Sequence, residues 1–352
     1  KKAVETATHL AAMNEGKGDA GLYGDELGVS KEDQKVYAEE LSKEAKAAFI
    51  NDNFKGKTLA LQSNISIVFR VDPVYFTAHG YSNPVVTFNF LGVDYPVTEY
   101  SVNGGIYEFS FNNIAPSQMK ENVYATLSAE YEGEVYTSAA QEYSIYTYCN
   151  NQINRYYTTT AYAGLVGLLV DILNYGAAAQ ESVGYNVSDL ANANLTAEQK
   201  ALGNQDEITY ADKKQLKNEV PAEGLVDIKS VGLALQDSVI INFYIELLNG
   251  ASLDGLVAHV EAVGRSWDIA ASEFTYDTST GRYIVGFNGL NPAQMQEVVT
   301  INLVKDGVVV SDTATYSVES YGLSNAATGI ESVGKLVEAL VRYGRSAKNF
   351  LG

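Results

Sequence analysis

The sequence predicts a mainly β protein with α: two tandem antiparallel β-sandwich domains, each followed by packed helices. Three observations carry this. Blocks of sequence recur in the same order, about 170 residues apart. Much of each copy alternates apolar and polar residues with period two, as in strands packed on one face. Each copy then switches to the same helical stripe.

The duplication is read directly. Leu59-Ala60-Leu61-Gln62 returns as Leu233-Ala234-Leu235-Gln236, and Tyr143-Ser144-Ile145 as Tyr316-Ser317-Val318. Between them, Tyr107, Phe109, Phe111, Pro116, Gln118 and Met119 return as Tyr283, Val285, Phe287, Pro292, Gln294 and Met295. A repeat of this length is a whole domain rather than a solenoid unit.

Residues 1–55 form an N-terminal helical segment. Ser30-Lys31-Glu32-Asp33 resembles a capping box, and Val36, Leu41, Ala45 and Phe49 follow at near-helical spacing. Residues 56–145 form the first sandwich. Ile65, Ile67 and Phe69 alternate with more polar neighbours, as do Val86, Phe88 and Phe90, and Tyr107, Phe109 and Phe111. Asn103-Gly104-Gly105 marks a hairpin between Tyr100 and Tyr107, and 277–282 fills the same gap between Tyr276 and Tyr283. Short strands without intervening helices predict a sandwich.

Residues 146–220 are helices and a structured linker. Leu165, Leu168, Leu169, Ile172, Leu173, Gly176 and Ala179 make one stripe, repeated by Val333, Leu336, Val337, Leu340, Val341, Gly344 and Ala347. Tyr175-Gly176 aligns with Tyr343-Gly344. A helical glycine costs about 1 kcal/mol against alanine, so its recurrence predicts a close backbone or ring contact. These helices are expected on or beside their own sandwich. Thr196-Ala197-Glu198-Gln199 is a capping box, Thr209 starts a second candidate helix, and Pro221 closes the linker. Residues 221–320 form the second sandwich and 321–352 the C-terminal helix.

The 352 residues suit two domains, and 46% apolar content suffices for their cores. A net charge of −19 opposes binding to nucleic acid and to anionic membranes. No run approaches the roughly 18 apolar residues of a membrane span, so no membrane insertion is expected. No signal peptide precedes Lys1, and the start reads as an excised fragment. With a single cysteine, Cys149, an intrachain disulfide is ruled out.

His9, His79 and His259 are isolated, so no metal site is predicted. Gly-rich phosphate loops, a Walker lysine and a Gly-x-Ser-x-Gly elbow are absent, so neither cofactor nor catalytic residue is assigned. A carboxylate pair has no sequence signature and stays open.

Aromatic residues remain: 25 Tyr against 12 Phe and one Trp. Half-buried strands favour tyrosine, which accounts for many of them. Sugars bind by laying a C–H face on an aromatic ring while amides and carboxylates take the hydroxyls. The candidates are Trp267, read as lying on a loop and matched to Tyr95 in the first copy; Tyr75 and Tyr81 in a Gly/Asn-rich segment; and Tyr157 and Tyr162 between helices. A lone tryptophan equally suits a partly buried core.

The helix Asp171-Ile172-Leu173-Asn174-Tyr175-Gly176-Ala177-Ala178-Ala179-Gln180, with 143–149, 114–119 and 195–202, resembles secreted β-sandwich-plus-helix modules of gut clostridia. In layout the chain resembles the two-lobed starch-binding modules of the Ruminococcus amylosome. The resemblance implies an extracellular or cell-surface, non-catalytic module for starch and maltooligosaccharides, within a cell-surface protein assembly. It supplies no ligand residue. The competing reading is a structural or protein-interaction module of a bacterial cell-surface protein; an enzyme acting between the lobes is a third.

Overall fold

The computed structural model describes residues 50, 54–61, 64–73, 76, 80–208, 216–217, 219–235, 239–325 and 331–351. The N-terminal helical segment and the helix expected at Thr209 lie outside the described residues.

The described residues are mostly β, with four antiparallel sheets in two pairs and five α-helices among them. Copy one contributes β1 (Phe54–Leu61), β2 (Ile65–Val71), β3 (Ser82–Phe90), β4 (Val93–Val97), β5 (Ser101–Asn103), β6 (Ile106–Phe111), β7 (Val123–Tyr131), β8 (Glu134–Thr137) and β9 (Gln141–Tyr143). They form sheets of order β1-β2-β6-β5 and β4-β3-β7-β8, with β9 also on β7. Copy two contributes β10 (Leu216–Lys217), β11 (Val226–Leu235), β12 (Val239–Leu247), β13 (Leu256–Ala262), β14 (Arg265–Ala270), β15 (Thr275–Asp277), β16 (Arg282–Phe287), β17 (Val299–Lys305), β18 (Val308–Val309) and β19 (Ala314–Tyr316). Their sheets run β11-β12-β16-β15 and β10-β19-β17-β13-β14, with β18 on β17.

By contact the described residues fall into two compact units. One holds Val68–Ser110 and Asn122–Tyr143 with the described residues up to Thr58. The other holds Leu59–Ile67, Phe111–Glu121 and everything from Ser144 onward. In the first, Phe69 of β2 meets Phe88 of β3 at 5.7 Å between ring centroids, and both are fully buried.

Period two does what alternation predicts: along β7, Val123, Ala125, Leu127 and Ala129 are buried while their neighbours are not. The duplication extends to single hydrogen bonds. Leu127 N–H donates to Ser138 Oγ at 2.9 Å, and Leu303 N–H to Ser311 Oγ at 2.7 Å. Ala115 N–H donates to Gln118 Oε1 at 3.1 Å, and Asn291 N–H to Gln294 Oε1 at 3.1 Å.

The helices are α1 (Ile145–Tyr156), α2 (Ala163–Val183), α3 (Ala197–Lys200), α4 (Val318–Asn325) and α5 (Glu331–Leu351). Ser144 caps α1 by accepting from Thr147 N–H at 3.0 Å, and Ser317 accepts from Ser320 N–H at the same distance in copy two. The Thr196–Gln199 capping box forms as expected, with Gln199 N–H donating to Thr196 Oγ1 and Thr196 N–H to Gln199 Oε1.

The two recurring glycines do mark a close contact, made by a thioether rather than a ring. A Cβ on Gly176 would lie 2.8 Å from Met119 Sδ, and one on Gly344 the same distance from Met295 Sδ. Each helix thus rests on the Pro-x-Gln-Met turn of its own copy. The expectation that each helix stays with its own sandwich is incomplete, because α2 also packs along α5, its counterpart from the other copy. Gly164 lies beside Phe350, Asp171 bonds Ser346, and Tyr175 stacks on Tyr343, so the two helices run antiparallel.

That second partner explains a departure from the expected absence of membrane-length apolar runs. Residues Thr160–Val183 are long and apolar enough to cross a membrane by length and composition, and 67% of an 18-residue apolar stretch within them is buried inside the protein. From Val166 to Leu173 every residue of α2 is buried. A helix apolar on all sides is one surrounded by neighbours.

Candidate functional site

The tyrosine pairs flanking the β5–β6 and β15–β16 hairpins form the best-defined exposed aromatic surfaces. In copy one, Gly104 and Gly105 adopt φ of +57° and +82°, a two-residue turn that sets Val102 opposite Tyr107. Tyr100, two residues back along the same face, reaches Tyr107 diagonally. The rings stack at 4.1 Å and 21°. A hydrogen bond to Tyr100, with some burial, holds the Tyr107 phenol above its ordinary pKa.

In copy two the turn is longer. Asp277 organises it, accepting from Ser279 N–H at 3.0 Å and Thr280 Oγ1 at 2.7 Å. These bonds hold its carboxyl below the ordinary range. Tyr276 now stands directly opposite Tyr283, with ring centroids 5.0 Å apart. Two turns of different length thus deliver the same ring pair at a sheet edge. Tyr276 is 56% exposed and Tyr100 39%.

Polar groups flank each pair. Glu108 accepts from Asn103 Nδ2 at 3.2 Å and pairs with Arg70 Nε at 3.2 Å. Asp277 stands opposite Arg282. Rings and charges alternate along these strands, so each sheet edge carries its ring pair on one face and its carboxylate and guanidinium on the other.

The residues expected from sequence divide three ways. Trp267 and Tyr95 lie on strands, not loops. The turns before them are Val263-Gly264 (φ +49° and +69°) and Leu91-Gly92 (+52° and +82°). Trp267 stands opposite Val260 on edge strand β14, and Tyr95 opposite Phe88 on edge strand β4. Both are half-buried. Trp267 meets Phe287 edge-on at 5.0 Å, so it caps the second sandwich core.

Tyr81 is buried, 6% exposed, among Phe76, Tyr131 and Tyr136, and burial raises its phenol pKa. It has no ring face free for a sugar. Tyr75 lies outside the described residues.

Tyr157 and Tyr162 are exposed at the α1–α2 junction. Tyr162 packs on Tyr156 at 4.1 Å, and the Arg155 guanidinium lies 5.1 Å from the Tyr156 ring centre.

Among the described residues no group of three or more His, Cys, Asp or Glu is placed to hold a metal ion. His259 bridges Asp268 at 2.8 Å and Glu261 at 3.5 Å, and the hydrogen bond with Asp268 raises its pKa most.

No protein-family model matches the chain, and no curated protein matches it by sequence. Among solved structures, one similar chain is the GH family 64 laminaripentaose-producing β-1,3-glucanase from Paenibacillus barengoltzii, complexed with laminarihexaose. Identity is 8% and TM-score 0.18, over 77% of this chain and 53% of that one. This chain spans about half the length of that enzyme, and a TM-score this low transfers neither fold nor activity.

Proposed function

We propose that the protein is a non-catalytic glycan-binding module of a bacterial cell surface, with starch or another α-1,4-glucan as ligand. The observation that carries this is the repeated tyrosine pair, Tyr100/Tyr107 and Tyr276/Tyr283, one ring of each exposed at a sheet edge. A flat exposed ring suits a pyranose, whose C–H face is apolar. Tyr157 and Tyr162 add a third exposed aromatic surface. The choice of α-glucan rests on the resemblance to amylosome starch-binding modules.

Single pairs bind weakly, in the micromolar to millimolar range. Two pairs on one polymer gain through effective concentration. Pull-down on insoluble starch and a glycan array test the reading. The wild type should be retained, and Tyr100→Ala with Tyr276→Ala should reduce retention about tenfold, equivalent to about 1.4 kcal/mol. Equal retention of both proteins removes these pairs from the site. No retention on any glycan removes the function.

A further inference from the structure

The seam between α2 and α5 opens, beside residues 190–205, into a cleft of about 430 Å³. That volume falls in the range of small-molecule sites. It exists because the two copies differ where the helices cross. On one side of the Tyr175–Tyr343 stack, Asp171 accepts from Ser346 Oγ and closes the seam. The residues at the corresponding positions of the other copy are Ala339 and Ala178, and both line the cleft. Where one side has a hydrogen bond, the other has two methyl groups and a space.

The cleft is electrically polarised. At one end stand Arg342 and Lys200. Arg342 donates to the Asn204 carbonyl at 2.6 Å and lies within electrostatic reach of Asp171, and among the described residues neither cation is within ion-pair distance of a carboxylate. Seven residues further along the antiparallel helices, about 10 Å by helix rise, stand Glu181 and Lys335. Lys335 is met by Glu331 at 2.9 Å and is also within electrostatic reach of Glu181, while Glu338, three residues from Lys335 and four from Arg342, stands between the ends. Carboxylates therefore outnumber cations at this end. The carboxamides cluster at the Arg342 end, where Asn192 Nδ2 donates to Asn174 Oδ1 at 3.0 Å.

We propose that this cleft binds a short peptide of about three small residues with both termini free. Its carboxylate meets Arg342 and Lys200, and its ammonium meets Glu181 and Glu338. An extended tripeptide spans about 10 Å, the separation of the two ends. The alanines between the ends, Ala177, Ala178 and Ala339, admit only small side chains against them. This site is independent of the glycan reading.

Calorimetry with trialanine, N-acetyl-trialanine and trialanine amide tests it. Free trialanine should bind at one site, and each blocked form should bind about tenfold more weakly, the loss of one charge-assisted contact. Glu181→Gln should reduce the penalty of N-acetylation, and Lys200→Gln that of C-amidation, since each leaves one of the two partners of that terminus in place. Both side chains are exposed, so circular dichroism should show the fold retained. Tyr100→Ala with Tyr276→Ala should leave trialanine binding unchanged. Absence of saturable trialanine binding, or equal binding of the blocked peptides, overturns the proposal.

Discussion

Tyr175 and Tyr343 lie face to face, 5.8 Å between ring centres and 16° between planes, and they occupy the same position in the two copies. A residue stacked on its own counterpart marks a local two-fold relation between α2 and α5. This is the isologous arrangement of a symmetric dimer, here within one chain. Both rings are almost fully buried, and neither phenol oxygen has a hydrogen-bond partner.

An unpaired buried hydroxyl costs about 1–3 kcal/mol of desolvation. Tyr175→Phe and Tyr343→Phe keep the stack and remove that cost. Each is expected to leave stability unchanged or raise it by about 1 kcal/mol, measured by urea denaturation. A loss above about 1 kcal/mol would point to a partner for the hydroxyl.

Gly176→Ala and Gly344→Ala test the seat of each helix on its methionine. Helix propensity favours alanine by about 1 kcal/mol. Against it stands a Cβ 2.8 Å from a buried sulfur, and overpacking of this kind costs about 1–3 kcal/mol. Net destabilisation is expected, larger at Gly176, where the Pro116 carbonyl and Ala191 Cβ also stand 3.3 Å away. Thermal melts decide it, and a raised Tm for Gly176→Ala would contradict the packing.

Asp171 gives stability a pH dependence. Its carboxyl is buried, which raises its pKa above the ordinary value despite hydrogen bonds from Ser346 Oγ and Asn204 N–H. The unfolded chain ionises near pH 3.9, the folded protein at higher pH. Its contribution is therefore full below about pH 3.9 and is lost as pH rises through the folded pKa. Relative to Asp171→Asn, the wild type should lose stability as pH rises from about 4. Denaturation at several pH values reads this, and a flat difference would refute it.

Val263 holds φ of +49° in the β13–β14 turn, a conformation that costs a β-branched residue about 1–2 kcal/mol. Val263→Asn should raise stability by about 1 kcal/mol. Trp267 fluorescence four residues away should stay unchanged, since its contact with Phe287 does not depend on the turn residue.

Much of the fold is legible in local pattern. Alternation marked the strands, Asn103-Gly104-Gly105 its hairpin, and the paired glycines their close contacts. The Leu91-Gly92 and Val263-Gly264 turns were not legible, because leucine and valine are poor residues for positive φ. For that reason Trp267 read as a loop residue. The α2–α5 pairing joins residues far apart in sequence, and its only local signal was the apolar run from Val166 to Ile172, interrupted by Asp171 alone. The tyrosine pairs were visible as turn flanks. Their stacking depended on register, which neither turn sequence states by itself.

The embrace of α2 by α5 has a consequence for anyone who would divide the protein at its repeat. A fragment carrying only the first copy would keep a 24-residue greasy rod, Thr160–Val183, stripped of the partner that shields it. Such a half should clump or seek lipid.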